Sequence, residues 1–94
     1  MEEDNKIFIG NKPFMNYVTG VVMQFTAKEA TEVVIKSRGK FISRAVDVAE
    51  VSINKYLKDK IKIKEVLINS ENFTNKENKE VRVSTIDIIL TKIN

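Results

Sequence analysis

The chain has 94 residues, 16 of them basic and 13 acidic, with no Cys, no His, no Trp and a single Pro. That length fits one small domain, and 43% apolar residues are enough to build a core rather than leave the chain disordered. Without Cys there is no disulfide framework or thiol nucleophile, and without His the commonest neutral-pH base and metal ligand is missing, so no enzyme, metal centre or cofactor is expected.

Residues 1–5 open with Met1-Glu2-Glu3-Asp4 and read as a short acidic tail, the opposite of a basic, then apolar, signal peptide. Lys6 to Ile9 is a short apolar run closed by Gly10, which predicts a strand. Pro13 suits the first position of a helix, where its missing N–H is unpaired in any case. Apolar residues at 14, 18, 21, 22 and 25 then mark one helical face. Gly20 costs that helix about 1 kcal/mol against Ala and reads as a close packing contact. Glu32 to Ser37, with Val33, Val34 and Ile35, predicts a strand buried on both faces. After Gly39 a second helix places Ile42, Ala45, Val46, Ala49, Ile53, Tyr56 and Leu57 on one side, with Arg44, Asp47 and Glu50 on the solvated side.

The last third alternates with period two. Ile61 and Ile63 sit between lysines, and the apolar phase slips at Val66 and Ile68. Val81 and Val83 give way, again with a one-residue slip, to Ile86, Ile88 and Leu90. Each slip predicts a bulge or a strand buried on both sides. The polar stretch 72–80, with Asn at 72, 75 and 78, supplies a turn between them. The result is a β-hairpin with strands of about 12 residues, or about 40 Å. The order is β-α-β-α-β-β, an α+β domain with a four-stranded mixed sheet and two helices. A right-handed crossover makes the first two strands parallel. A body this small cannot cover such long strands, so the C-terminal hairpin should protrude as an arm.

The net charge of +3 hides an uneven distribution. Residues 36 to 64 hold nine basic side chains against three acidic ones, a balance of +6, which leaves −3 for the rest. A basic middle suggests a surface facing a polyanion. Apolar runs stop at three residues, far short of a membrane span, so a soluble, cytoplasmic protein is expected. Ser37-Arg38-Gly39-Lys40 fits the Ser-x-x-Lys pattern of penicillin-recognising hydrolases, but their two further motifs are absent.

Three blocks in order carry a family resemblance: Gly10-Asn11-Lys12-Pro13-Phe14-Met15-Asn16-Tyr17-Val18, then Val34 to Asp47, then Arg82-Val83-Ser84-Thr85-Ile86-Asp87-Ile88. Together they resemble the Alba family of small archaeal chromatin proteins, with residues 6–94 as the domain. The resemblance implies a homodimer with two hairpin arms. It also implies binding of double-stranded DNA through the phosphate backbone with little sequence preference, and association with the chromosome. RNA binding, as a chaperone or a subunit of an RNA-processing particle, is the alternative it allows, and a protein-interaction module without nucleic acid is a third.

By the same resemblance the nucleic-acid contacts are Lys12, Arg38, Lys40 and Arg44, with Asn11 beside Lys12, and Lys76, Lys79 and Arg82 on the arm. Tyr56 falls where family members carry an aromatic between dimers packed side by side on DNA. Physically, Lys12 starts a helix whose free N–H groups favour phosphate, and Gly39 turns the chain tightly between two cations. Two departures stand out. Asn11 replaces the first of two lysines that the family often shows, the one some members acetylate. On the arm, Lys76, Lys79 and Arg82 are balanced by Glu71, Glu77 and Glu80, so binding should be weaker than in strongly basic relatives.

Overall fold

The computed structural model describes residues 5–93; the acidic residues 1–4 and Asn94 lie outside the described residues. Six elements follow in the expected order: β1 (Lys6–Phe8), α1 (Phe14–Thr26), β2 (Glu32–Arg38), α2 (Ile42–Val51), β3 (Ile61–Thr74) and β4 (Glu80–Lys92). The four strands form one sheet in the order β1-β2-β4-β3. β1 and β2 are parallel, with Phe8 opposite Lys36, and the other pairs are antiparallel.

Pro13 sits one residue earlier than expected. It caps α1 in an extended conformation (φ −55°, ψ 139°), and the helix itself starts at Phe14. Within α1, Val18, Val21 and Phe25 are buried as expected, together with Tyr17. Gly20 does face Ile7, but a Cβ there would meet the Ile7 Cδ1 at 3.6 Å, an ordinary contact with room for a methyl group.

Both helices lie on one face of the sheet. There Val33 and Ile35 of β2 and Ile86, Ile88 and Leu90 of β4 are buried against Ala45, Val48 and Ala49 of α2 and the α1 residues. Each large apolar side chain so buried contributes about 1.5–3 kcal/mol. The opposite face is open, which corrects the expectation that β2 is buried on both sides. Val34 is only half-buried, and three ion pairs cross that face: Glu32–Lys64 at 2.8 Å, Lys36–Asp87 at 2.9 Å and Arg38–Glu71 at 3.0 Å. The hydrogen bond and charge of Glu32 raise the Lys64 pKa above its ordinary value.

The second helix buries most of the expected face, Ala45, Ala49 and Leu57 in the core with Ile42 and Ile53 packed against it, but two positions differ. Val48 is buried in place of Val46, which is exposed. Ala45, Val48, Ala49 and Ser52 keep the α-helical spacing, after which a π turn over Ser52–Tyr56 widens the helix. Leu57 donates its N–H to the Ser52 carbonyl at 3.0 Å, five residues back. The extra residue places Leu57 in the core and turns Tyr56 outward, 49% exposed.

The hairpin is longer than expected, 14 and 13 residues, and runs the length of a molecule measuring 48 × 24 × 24 Å. The first phase slip is a register shift between Ile63 and Glu65, as expected. The second has no bulge: β4 pairs regularly from Glu80 to Ile89, and its apolar residues change faces because β4 leaves the body there. Pairing with β2 ends at Arg38–Thr85, so five rungs, Ser70–Ser84 to Thr74–Glu80, extend past the body. At about 3.4 Å per residue the arm protrudes about 17 Å before its loop.

Candidate nucleic-acid interface

Because β1 and β2 are parallel neighbours, the chain segments that follow them emerge at the same end of the sheet. The antiparallel β4 sends the arm past that same end. Topology thus gathers residues 9–13, residues 39–41, the start of α2 and the base of the arm, although they are far apart in sequence.

Tyr17 shapes the first of these loops. Its hydroxyl accepts the backbone N–H groups of Gly10 and Lys12, each at 2.9 Å. Arg44, in the first turn of α2, packs over the same ring with its guanidinium carbon 5.8 Å from the centroid. Arg44 also donates from Nη2 to the Lys12 carbonyl oxygen at 2.7 Å, so the two basic segments are tied together. Arg44 was expected on an ordinary solvated face; it is instead half-buried and holds the loop. Lys12 and Asn11 stand exposed on that loop. The helix behind it has no side-chain cap and no acidic residue in its first turn, which leaves its N-terminal dipole uncompensated.

The second loop turns at Gly39, whose φ of +59° lies in the left-handed region that disfavours any side chain. Arg38 ends β2 on one side of it, and Lys40 is exposed on the other with its Nζ 5.4 Å from the Phe41 ring centroid. A Cβ on Gly39 would lie 3.2 Å from the Val83 Cγ2, so the loop also abuts the base of the arm.

On the arm, Lys76 and Lys79 belong to a loop organised by Asn75. Its Oδ1 accepts the N–H groups of Glu77 and Lys79 at 2.9 and 3.0 Å, and Asn78 supplies the positive φ of 64°. Asn72, read as a turn residue, pairs instead with Arg82 in the ladder. Arg82 is exposed on the face of the hairpin opposite Glu71 and Val83. Lys12, Arg38, Lys40 and Arg44 therefore lie at one end of the sheet, Arg44 bound to the Lys12 loop and Arg38 on the open face, while Lys76, Lys79 and Arg82 are carried outward on the arm. Tyr56 belongs to neither group.

Glu71 and Tyr17 were not singled out by the sequence. Glu71 accepts a hydrogen bond from the Arg38 Nη1 at 3.0 Å and is its ion partner. Among the described residues Lys12, Lys40, Lys76, Lys79 and Arg82 form no ion pair. No helix of the described residues is long and apolar enough to cross a membrane.

The fold and this end of it define a two-layer α+β domain that gathers cations beside a protruding β-arm. The model of the Alba family matches residues 5–70. The chain is 50% identical over 92 residues to the DNA/RNA-binding protein Alba of Methanothrix thermoacetophila, covering 98% of this chain and 100% of that protein. It is 45% identical over 89 residues to the protein of the same name from Methanococcus maripaludis, covering 95% and 99%. The structure of Alba from Thermoplasma volcanium superposes with a TM-score of 0.85 at 44% identity, covering 93% of this chain and 99% of that one. The chain belongs to the Alba family.

Proposed function

We propose that the protein is an architectural nucleic-acid-binding protein. It binds double-stranded DNA through the phosphate backbone, as a homodimer, and organises the chromosome. The observation that carries this reading is the placement of Lys12, Arg38, Lys40 and Arg44 at the one end of the sheet from which the arm protrudes, with Arg44 bound to the Lys12 loop. Point charges and guanidinium groups on such loops neutralise phosphates without reading bases. Lys76, Lys79 and Arg82 extend the contact along the groove, and Asn11 adds a polar contact beside Lys12. The relatives' shared name, DNA/RNA-binding protein Alba, supports the same class of ligand.

The homodimer is supported by the edge of the sheet. Ile63, Val66 and Ile68 of β3 lie on the face that carries the helices, yet they are 42%, 46% and 78% exposed. A second copy covers this stripe in the proposed assembly. Tyr56, half-exposed at the end of the second helix, is the proposed contact between dimers lying side by side on DNA.

Replacing both Arg38 and Lys40 by Glu tests the reading. Duplex binding should weaken by about 100-fold or more at 0.1 M salt and equally for unrelated sequences. Unchanged affinity, or a loss confined to one sequence, would refute backbone binding. Because the relatives' name also includes RNA, competition between duplex DNA and structured RNA at matched salt assigns the main target.

A further inference from the structure

Of the four cations at the arm end of the sheet, one already has an anion. The Arg38 Nη1 lies 3.0 Å from the Glu71 Oε1, and the two side chains are 64% and 55% exposed. Their register explains the meeting. Arg38 pairs with Thr85 at the last rung of β2, and Glu71 pairs with Val83 one step up the arm on the same open face. The pair lines the rim of an open groove of about 530 Å³, bounded also by Phe8, Lys36, Asn69 and Asp87, so solvent and phosphate reach it freely.

We propose that Glu71 is an intramolecular competitor for phosphate at Arg38, and so an affinity-setting residue of the interface. This rests on the phosphate-binding reading above. The Glu71 carboxylate accepts from the Arg38 Nη1, a donor that a phosphate oxygen would otherwise take, and both anions are recognised by the same guanidinium N–H groups. Binding therefore exchanges one anion for another at Arg38, whereas Lys12 and Lys40 offer unpaired charge. The exchange also frees Glu71, which lies on the arm next to the incoming backbone and repels it. Of the six charged residues that make the arm neutral overall, Glu71 is the one that lowers affinity through a specific contact. Glu77 and Glu80 form no ion pair among the described residues.

The test is a set of Glu→Gln variants of the full chain, titrated with a duplex DNA of mixed sequence at fixed salt. Glu71→Gln should bind about three- to tenfold tighter, the weight of one exposed ion pair on each of two arms. Glu77→Gln removes the same charge from the arm without removing an ion pair and should gain less. In an Arg38→Gln background the advantage of Glu71→Gln over Glu77→Gln should disappear. Equal gains from the two single variants, an advantage that survives loss of Arg38, or weaker binding by Glu71→Gln would each overturn the proposal. If Arg38→Gln weakens binding while Glu71→Gln changes nothing, competition fails and the phosphate reading stands. If the unaltered protein does not bind duplex DNA at low salt, both fail.

Discussion

Replacing Tyr17 by Phe removes a single oxygen from the centre of the interface. That oxygen accepts two backbone N–H groups, from Gly10 and Lys12, at 2.9 Å each. The ring itself is buried, so Phe fits the same space and keeps the Arg44 contact. Each lost bond carries a net 0.5–1.5 kcal/mol, and both amides are only partly buried and regain some water, which gives a total of about 1–2 kcal/mol. For a domain of this size the unfolding midpoint should fall by about 5–15 °C, compared at equal protein concentration because the proposed dimerisation would also move it. The loop that presents Lys12 then samples other conformations, and duplex affinity should fall by about two- to fivefold. Thermal unfolding and a duplex titration read the two effects separately. A midpoint shift below about 2 °C together with unchanged affinity would refute the assignment of Tyr17 as the organiser of this loop.

Gly39→Ala should destabilise by about 1–3 kcal/mol, because its φ of +59° strains any side chain and the added Cβ meets Val83 at 3.2 Å. Gly10→Ala is the contrast: its Cβ would meet only the Tyr17 hydroxyl oxygen at an ordinary 3.6 Å, so urea unfolding should separate the two variants clearly. Asn11→Lys places a second exposed cation on the Lys12 loop, two per proposed dimer. Its duplex binding should tighten and its salt dependence steepen by about 2 in log–log slope, read by titration at several salt concentrations.

Much of this fold is legible because apolar residues keep time with the backbone. The alternation of Ile61 and Ile63, broken before Val66, points to a bulge or to burial on both faces, and the register shift between Ile63 and Glu65 is the bulge. The parallel pairing of β1 with β2 follows from the crossover through α1. Periodicity misleads where the backbone changes its own period. The π turn at Ser52–Tyr56 inserts one residue, which turns Tyr56 outward while Leu57 is buried as expected. At the interface the sequence motifs point to the cations but not to what holds them. Arg38 and Glu71 are 33 residues apart and meet only through the register of three strands. Arg44 reaches the Lys12 carbonyl across 32 residues in the same indirect way. Tyr17 leaves one usable signal: a tyrosine on the buried face of a helix needs a partner for its hydroxyl.

The salt dependence of duplex DNA binding tests the central claim most directly. If Lys12, Arg38, Lys40 and Arg44 of the two subunits in the proposed dimer neutralise about 6–8 phosphates, log affinity plotted against log salt should have a slope of about −5 to −7. On the proposed backbone reading the slope should be the same for unrelated sequences. A slope near zero would contradict phosphate neutralisation as the basis of binding.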